Sequence, residues 1–336
     1  MKKIKIAQIG TGHDHAGVTF AALKRMTDIF DVVGYAQVPE DNGIIQSELY
    51  GDAKRFTLEE ILSMSDLDAV AVETFDLVLV KYAQMAADKG LHIQMDKAPG
   101  ENAEAFEKLL STVKKKGLAF SIGYIYRFNP LIRQAFEQVK HGDLGKVYFV
   151  ETDMSCQHPK EKREWLGQFH GGMMQYLGCH LIDLVVRLLG VPDKIIPYNY
   201  SIGIDNVQSK DVAFAVFKYK NGIATVKSSA LARGGYVCRH LVIHGDKKTI
   251  EIRPLEKYEY GPSGISTKMT EFVQDDGWHG LGKETVSGAF DRYEGMLYAF
   301  AEMVRGKRGY EVDLKTEAQI HRCLLAACGI DCNYKD

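Results

Sequence analysis

The first third of the chain alternates short apolar segments with segments of helical spacing. Ile4–Ile9 is apolar and stops at Gly10-Thr11-Gly12, after which residues 16–26 carry apolar side chains at helical spacing. Strands separated by helices form βαβ units, whose parallel sheet is covered by helices on both faces. We therefore predict an α/β domain with a parallel sheet, whose strands are residues 4–9, 31–36, 68–72, 91–95 and 118–122.

The second half of the chain has longer strands with few helices between them. At roughly 150 residues per domain, the 336 residues correspond to two domains, which we expect at residues 1–122 and 123–336. A last amphipathic helix, at about residues 315–330, is expected near the domain junction. The other predicted elements are strands at 146–153, 195–203, 211–219, 223–231 and 239–244, and helices at 130–140 and 175–189.

One predicted hairpin in the second half bears on assembly. Lys220-Asn221-Gly222-Ile223 favours a type I′ turn, because Asn-Gly accepts positive backbone angles. The strand before it, residues 212–217, is apolar on both faces. One face can pack on helices, and the other would be exposed to water in a monomer. We therefore infer a homo-oligomer that forms through this sheet face, with burial inside one subunit as the alternative.

Composition excludes several classes of partner. Lys and Arg number 42 against 44 Asp and Glu, a formal net charge of −2. Nucleic acids and anionic membranes select concentrated positive charge, so neither is expected as the main partner. No stretch reaches the ~18 apolar residues of a membrane span, and the first six residues do not form a secretory signal. The six cysteines contain no C-x-x-C pair, which favours a reduced, cytoplasmic protein.

The Gly10-Thr11-Gly12 turn is the strongest local signal for a ligand. Glycines between a first strand and a first helix let the backbone approach a pyrophosphate, whose charge is met by N–H groups at the helix start. The third glycine of this fingerprint is missing, because His15 occupies its position. We expect His13 and His15 to donate to phosphate or to the substrate. A metal site at these two histidines is a weaker alternative, since no third ligand is apparent nearby, and we predict no metal.

The ends of the second and third strands should complete the cofactor site. An acidic residue after the second strand would accept hydrogen bonds from the NAD ribose. The expected position is Gln37, and Glu40 or Asp41 is close enough to supply the acid instead. No arginine lies nearby to pair with a 2′-phosphate, so NAD is favoured and NADP is not excluded. Thr74, Phe75 and Asp76 follow the third strand and are predicted to contact the cofactor.

Lys97 and His180 are the predicted catalytic residues. Lys97 follows the fourth strand and precedes Pro99, where an ammonium can polarise a substrate oxygen; a solvated surface lysine is the alternative. His180 lies four positions after Tyr176 and three before Asp183, so the three can share one helix face. Histidine titrates near neutrality and is a natural acceptor for an alcohol proton, although a core histidine is the alternative.

These motifs together resemble the Gfo/Idh/MocA (glucose–fructose oxidoreductase/inositol dehydrogenase) family. The resemblance implies an N-terminal Rossmann domain with a doubly wound sheet and a C-terminal domain with a large, mostly antiparallel open sheet. It also implies NAD(P)-dependent oxidation or reduction of sugars or polyols, with Lys97 and His180 as the family's lysine and cleft histidine. The segments that carry it are residues 9–12, 87–93, 96–99, 123–130, 171–172 and 178–183.

The sequence departs from the family at a position that bears on the chemistry. The aspartate commonly found four residues before the histidine is here Tyr176, which cannot act as a carboxylate at neutral pH. The leading hypothesis is a sugar or polyol dehydrogenase in which Tyr176 helps His180. The alternatives are redox-neutral glycoside cleavage with transient sugar oxidation, and a cofactor-binding protein without catalysis. Tyr126, Arg127, Trp165 and Asp183 are further candidates for substrate contact.

Overall fold

The computed structural model describes residues 2–258, 264–273 and 277–335. The chain divides into two compact units. The first consists of Met1–Tyr124 with Tyr293–Ala318, and the second of Ile125–Arg292 with Gln319–Asp336. The functional domain boundary at residues 122 and 123, and the place of the last helix at a junction, stay predictions. No helix within the described ranges is both long enough and apolar enough to cross a membrane.

The first unit contains a six-stranded parallel sheet. Its strands are β1 (Ile4–Ile9), β2 (Phe30–Ala36), β3 (Arg55–Phe56), β4 (Ala69–Val72), β5 (His92–Met95) and β6 (Phe120–Ile122). The spatial order is β3-β2-β1-β4-β5-β6. Strands β2 and β3 are thus added on one side of β1 and strands β4 to β6 on the other, which makes the position between β1 and β4 the switch point of the sheet. Ligands bind outside the carboxyl ends of strands at such a switch point. The predicted doubly wound α/β sheet is confirmed.

The helices of this unit begin and end where local chemistry dictates. The Thr57 hydroxyl accepts a hydrogen bond from the Glu60 backbone N–H, and the Glu60 carboxylate accepts one from the Thr57 backbone N–H, which is the capping box of the third helix. Gly90 and Gly117 end the next two helices in the left-handed conformation that glycine favours. The helices are α1 (Ala16–Arg25), α2 (Ser47–Tyr50), α3 (Leu58–Ser63), α4 (Leu79–Lys89) and α5 (Ala103–Lys116).

The second unit is built on an eight-stranded sheet. Its strands are β7 (Val147–Asp153), β8 (Lys194–Tyr200), β9 (Val212–Tyr219), β10 (Gly222–Ser229), β11 (His240–Gly245), β12 (Lys248–Ile252), β15 (Lys268–Val273) and β16 (Lys283–Val286). Two further strands, β13 (Lys257–Tyr258) and β14 (Ile265–Ser266), form a separate two-stranded sheet. The order is β16-β15-β12-β11-β7-β10-β9-β8, in which β7 and β10 pair in parallel and the other neighbours are antiparallel. The expected large, mostly antiparallel sheet is confirmed.

The hairpin between β9 and β10 forms as predicted, but its turn differs. Gly222 pairs with Tyr219 and already belongs to β10, so the connecting residues are Lys220 and Asn221. Neither Asn221 nor Gly222 has a positive φ, and the predicted type I′ turn is therefore wrong. Glycine serves close strand packing instead, because a Cβ at Gly222 would lie 2.8 Å from the Tyr148 carbonyl oxygen.

The remaining helices include an unusual turn before the predicted histidine. Residues Met174–Gly178 are π-helical and continue directly into an α-helix, so the helix expected over residues 175–189 changes its hydrogen bonding part way along. Such π turns occur frequently at functional sites. The helices are α6 (Pro130–His141), α7 (Lys160–Trp165), α8 (Cys179–Leu189), α9 (Gly235–Cys238), α10 (Glu294–Val304) and α11 (Leu314–Cys328).

Candidate functional site

The glycine loop after β1 packs against the end of β4. Gly10 has a φ of +92°, and a Cβ added there would lie 2.5 Å from the Thr74 side chain. Only glycine combines that backbone angle with so close an approach. The loop therefore lies at the switch point of the sheet, where a dinucleotide would cross it. Thr74 is fully buried beneath this loop, and Phe75 follows it as the residue before a short 3-10 turn that begins at Asp76.

The N–H groups of this loop already bind an anionic group. The Thr11 and Gly12 amides donate to the two carboxylate oxygens of Asp41, over 2.9 and 3.0 Å. The Val38 amide donates to the same carboxylate over 2.9 Å. Burial raises the pKa of Asp41, although these three backbone donors favour its charged form. The loop amides are therefore oriented to bind an anionic group, and Asp41 occupies two of them here.

Asp41 is the acidic residue that reaches the glycine loop. A Cβ at Gly12 would lie 2.6 Å from the Asp41 carboxylate, so the second glycine is required for this contact. Gln37, the expected ribose residue, donates to the Thr11 hydroxyl over 3.1 Å and so lies at the same loop. Glu40 points elsewhere, to the Lys81 ammonium 2.6 Å away. Of the two acids that the sequence left open, the structure brings Asp41 to the loop.

Titratable side chains gather where β1, β4 and β5 end. His13 lies between two carboxylates, with Nδ1 3.1 Å from Asp96 and Nε2 3.4 Å from Asp76. His15 approaches Asp96 as well, with Nδ1 3.1 Å from Oδ2. A Cβ at Gly123 would lie 2.5 Å from the Asp96 carboxylate, so glycine after β6 makes room for it. We call the following group the strand-end cluster: His13, His15, Glu73, Asp76, Asp96 and Lys97.

The cluster separates charged from neutral groups. Although burial opposes both charges, Asp96 and Asp76 raise the pKa of His13 well above its usual value, and His13 with His15 holds the pKa of Asp96 well below its own. Burial lowers the pKa of His15, which Asp96 only partly offsets. Burial and the nearby Asp96 charge raise the pKa of Glu73 well above its usual value. These surroundings favour the charged forms of His13 and Asp96 and disfavour charge on His15 and Glu73.

Lys97 is fully buried at this cluster. Its backbone N–H donates to the Asp96 carboxylate over 2.6 Å, and its carbonyl oxygen lies 2.9 Å from Nε2 of His13. Among smaller contributions, its ammonium lowers the pKa of both His15 and Asp76, which places the charge beside them. A buried ammonium among paired charges differs from the surface lysine that was the alternative, and its catalytic role stays a prediction.

In the second unit, His180 and Tyr176 lie among aromatic rings. His180 is buried at the start of α8, and its ring centroid is 5.6 Å from that of Tyr126. The Tyr176 ring is 5.6 Å from Trp165 and 5.8 Å from His158. Aromatic faces of this kind can stack on a sugar ring. Two of the predicted substrate residues, Tyr126 and Trp165, thus lie beside the two predicted catalytic side chains of this unit.

A cation lies on the faces of two of these rings. The Lys162 ammonium is 3.4 Å from the centroid of Trp165 and 4.8 Å from that of Tyr176. Lys162 and His158 were not predicted as site residues. The spacing of Lys162 and Trp165 on one helical turn offers a signal for their contact, but their approach to Tyr176 depends on tertiary structure.

Arg127 and Asp183 bind each other. Arg127 Nε and Nη2 donate to the same Asp183 oxygen over 3.0 and 2.7 Å, and both side chains are almost completely buried. Arg187 lies 3.8 Å from the other Asp183 oxygen. These contacts hold α8 against the segment that carries Tyr126. Direct substrate contact by Arg127 or Asp183 stays a prediction.

Metal binding was the alternative at the two N-terminal histidines. Potential ligand atoms of His13, His15 and Asp96 all lie within 4.8 Å of one another. The sequence offered no third ligand because Asp96 is 81 residues away from His15. However, the pKa of His13 favours an imidazolium, and Lys97 adds a second cation beside it. Positive charge at the site disfavours a metal ion, so the absence of a metal stays our prediction.

The first unit has a doubly wound α/β fold, and comparisons with known proteins show what the chain is similar to. Residues 132–251 match the family profile of the GFO/IDH/MocA C-terminal domain. The uncharacterized oxidoreductase YhhX of Escherichia coli is 27% identical over 71% of each chain. D-xylose 1-dehydrogenase (NADP(+)) 2 of Haloferax volcanii is 27% identical over 41% of this chain and 42% of its own.

Solved structures agree on the fold. UDP-N-acetylglucosamine 3-dehydrogenase GnnA from Acidithiobacillus ferrooxidans superposes with a TM-score of 0.74 over 97% of each chain, at 17% identity. Over residues 132–251 the protein resembles the Gfo/Idh/MocA family, and it is an enzyme of the oxidoreductase class. The resemblance carried by the sequence motifs is therefore confirmed.

Proposed function

We propose that this protein is an NAD-dependent dehydrogenase that acts on a hydroxyl-bearing carbon of a sugar, polyol or glycoside. The observation that carries the proposal is the buried Lys97 in a charged cluster, at the same sheet edge as a loop whose amides bind an anionic group. The D-xylose dehydrogenase among the relatives supports the substrate class.

Each side chain has a proposed task in this reaction. The loop from Gly10 to His13 would hold the dinucleotide, which when bound supplies the hydride acceptor. Lys97 polarises the substrate oxygen and stabilises negative charge that develops on it. His180, helped by the Tyr176 hydroxyl, binds the substrate hydroxyl and accepts its proton. Tyr126 and Trp165 stack against the sugar ring.

Asp41 supports NAD as the cofactor. Its carboxylate lies against the Thr11 and Gly12 amides, where it can accept hydrogen bonds from ribose hydroxyls. A 2′-phosphate at that position would meet a negative charge. The D-xylose 1-dehydrogenase relative is named for NADP(+), but that name describes the relative only. Because of Asp41, we expect this protein to prefer NAD.

We also propose that the protein forms a homo-oligomer through the second sheet. Tyr198 lies opposite Phe214, and Ile223 opposite Phe149, so these side chains share one face. Tyr198 and Ile223 are 43% and 45% exposed. An exposed apolar sheet face of this kind is typical of a subunit contact.

No disulfide joins the six cysteines, all of which lie in the described ranges, and this supports a reducing compartment, the cytoplasm.

The test of the proposed reaction is anaerobic mixing of the protein with NAD and a pooled library of sugars, polyols and glycosides. Nicotinamide absorbance is read together with product mass. We expect NADH to accumulate with a product two hydrogens lighter than its substrate. Glycoside cleavage without NADH would instead show the redox-neutral reaction, and tight NAD binding with no product would show a protein without catalysis.

A further inference from the structure

His15 is the more exposed of the two imidazoles in the strand-end cluster, although most of its side chain is buried. It directly precedes α1, where a third glycine would stand in the dinucleotide fingerprint. Its side chain is 20% exposed, whereas those of His13 and Asp96 are 1% and 4% exposed. A partly open ring at the edge of a cofactor loop is placed to meet a bound small molecule.

Asp96 fixes the orientation of this ring. Its Oδ2 and Oδ1 lie 3.1 and 3.3 Å from Nδ1 of His15. A carboxylate only accepts hydrogen bonds, so Nδ1 carries the proton and donates it. The lone pair of the neutral imidazole is then on Nε2, for which no hydrogen-bond partner occurs among the residues that the structure describes. This is the arrangement of a base held in one tautomer by a buried carboxylate.

The charges around His15 keep it available as a base. The carboxylates of Asp76 and Asp96 are balanced by the imidazolium of His13 and the ammonium of Lys97. A second imidazolium is not needed to neutralise the cluster, and burial holds the pKa of His15 below its ordinary value. The charge of the Lys97 ammonium lowers the pKa of His15 further.

We propose that His15, positioned by Asp96, accepts the hydroxyl proton in place of His180, which then binds and orients the substrate hydroxyl. The proposal rests on the proposed dehydrogenase function. Oxidation of a secondary alcohol breaks its C–H and O–H bonds and forms a C=O bond. The hydride leaves to the oxidised nicotinamide, and the hydroxyl proton leaves to Nε2 of His15, from which it passes to water.

The residue four positions before His180 bears on this step. The resemblance to the family predicts a carboxylate four residues before His180, and that residue is Tyr176 here. The first unit contains a histidine–carboxylate pair of its own, adjacent in sequence to Lys97. His15 with Asp96 thus offers a histidine–carboxylate pair at the strand ends.

The test compares wild-type protein with His15→Gln and with His141→Gln, which changes an exposed histidine on α6. We expect His15→Gln to lower kcat about 100-fold or more, with NADH affinity and thermal unfolding close to wild type. In wild type, kcat should rise with pH as one group deprotonates below pH of about 6.5, and this limb should be lost in the variant. His141→Gln should behave as wild type.

A second measurement does not depend on the variant's folding. NMR of ¹⁵N-histidine-labelled wild type without cofactor should show His15 as the Nδ1–H tautomer with a lowered pKa. An Nε2–H tautomer would overturn the proposal, as would a His15→Gln variant with wild-type kcat and pH profile, or one that loses NADH affinity alone. A wild type that binds NAD and oxidises no library member would contradict the proposed function itself, and the proton step with it.

Discussion

The two units carry their candidate site residues in opposite surroundings. In the first, Lys97 and Asp96 belong to a buried network in which opposite charges face one another. In the second, His180 and Tyr176 lie beside aromatic rings, while the charged side chains of Arg127 and Asp183 form an ion pair with each other. Charge placement should therefore control rate and cofactor choice in the first unit, and ring contacts should control substrate affinity in the second.

The largest expected effect follows from removing the charge of Lys97. Lys97→Met keeps most of the side-chain volume and deletes the ammonium, so transition-state stabilisation of the substrate oxygen is lost. We expect kcat to fall about 1,000-fold, while NADH still binds. Steady-state kinetics and fluorescence titration measure the two quantities. Lys89→Met, at the exposed end of α4, is the control; near-normal turnover of Lys97→Met would remove the lysine from the mechanism.

Cofactor preference should respond to Asp41. Asp41→Asn removes the negative charge beside the glycine loop, so a 2′-phosphate is no longer repelled and the ribose hydroxyls lose a strong acceptor. We expect the ratio of NADP to NAD affinity to rise about 30-fold, or about 2 kcal/mol. Calorimetric titration with both cofactors measures it. Glu40→Gln, which alters the neighbouring contact with Lys81, should leave the ratio unchanged; an equal ratio in Asp41→Asn would contradict NAD selection by this residue.

Substrate affinity should respond to Trp165 in the second unit. Trp165→Ala removes a ring face that we expect to lie against the sugar, which is worth about 1 kcal/mol. KM should therefore rise several-fold with little change in kcat. The chain has two tryptophans, and the other, Trp278, is 96% exposed and offers a matched control. A kcat defect in Trp165→Ala without a change in KM would place the ring at the chemistry instead.

The smallest effect concerns stability and pH. The pKa of Glu73 is raised in the folded state, so the folded protein favours the protonated carboxyl. The contribution of this group to the free energy of unfolding is therefore complete below the pKa of the unfolded state, and it is lost as pH rises from there through the pKa of the folded state. Glu73→Gln, neutral at every pH, should unfold a few degrees higher than wild type at pH 8, with a smaller difference at pH 5. Thermal unfolding at both values measures this. Exposed Glu59→Gln should give no such difference, and parallel curves for Glu73→Gln would show that its carboxyl ionises freely.

The sheet of the first unit was predictable because its strands are continuous apolar segments. All four residues of β4 are buried, as in the interior of a parallel sheet, and the capping box of α3 marks its helix start. The second sheet was harder. Its strand β16 reads Lys-Glu-Thr-Val, with little apolar periodicity, and α10 was not predicted. The π turn before α8 depends on tertiary packing and carries no sequence signal that we used.

The site was predictable residue by residue, but its pairings were not. Strand ends singled out His13, Asp76 and Lys97, because the carboxyl ends of parallel strands share one edge. Which histidine meets which carboxylate depends on strand order and rotamers, and so the contacts of Asp96 with His13 and His15 were missed. Similarly, Arg127 and Asp183 are polar residues in family motifs, and nothing in their spacing predicted that they bind each other.

The central claim is that the glycine loop and the strand-end cluster hold a nicotinamide dinucleotide. Isothermal titration of the full-length protein with NADH tests it most directly. We expect one binding site per chain with a Kd between about 1 µM and 1 mM, the range of ordinary enzyme affinities, and weaker binding of NADPH. If neither NADH nor NADPH saturated the protein at about 1 mM, the proposed dinucleotide site would be contradicted.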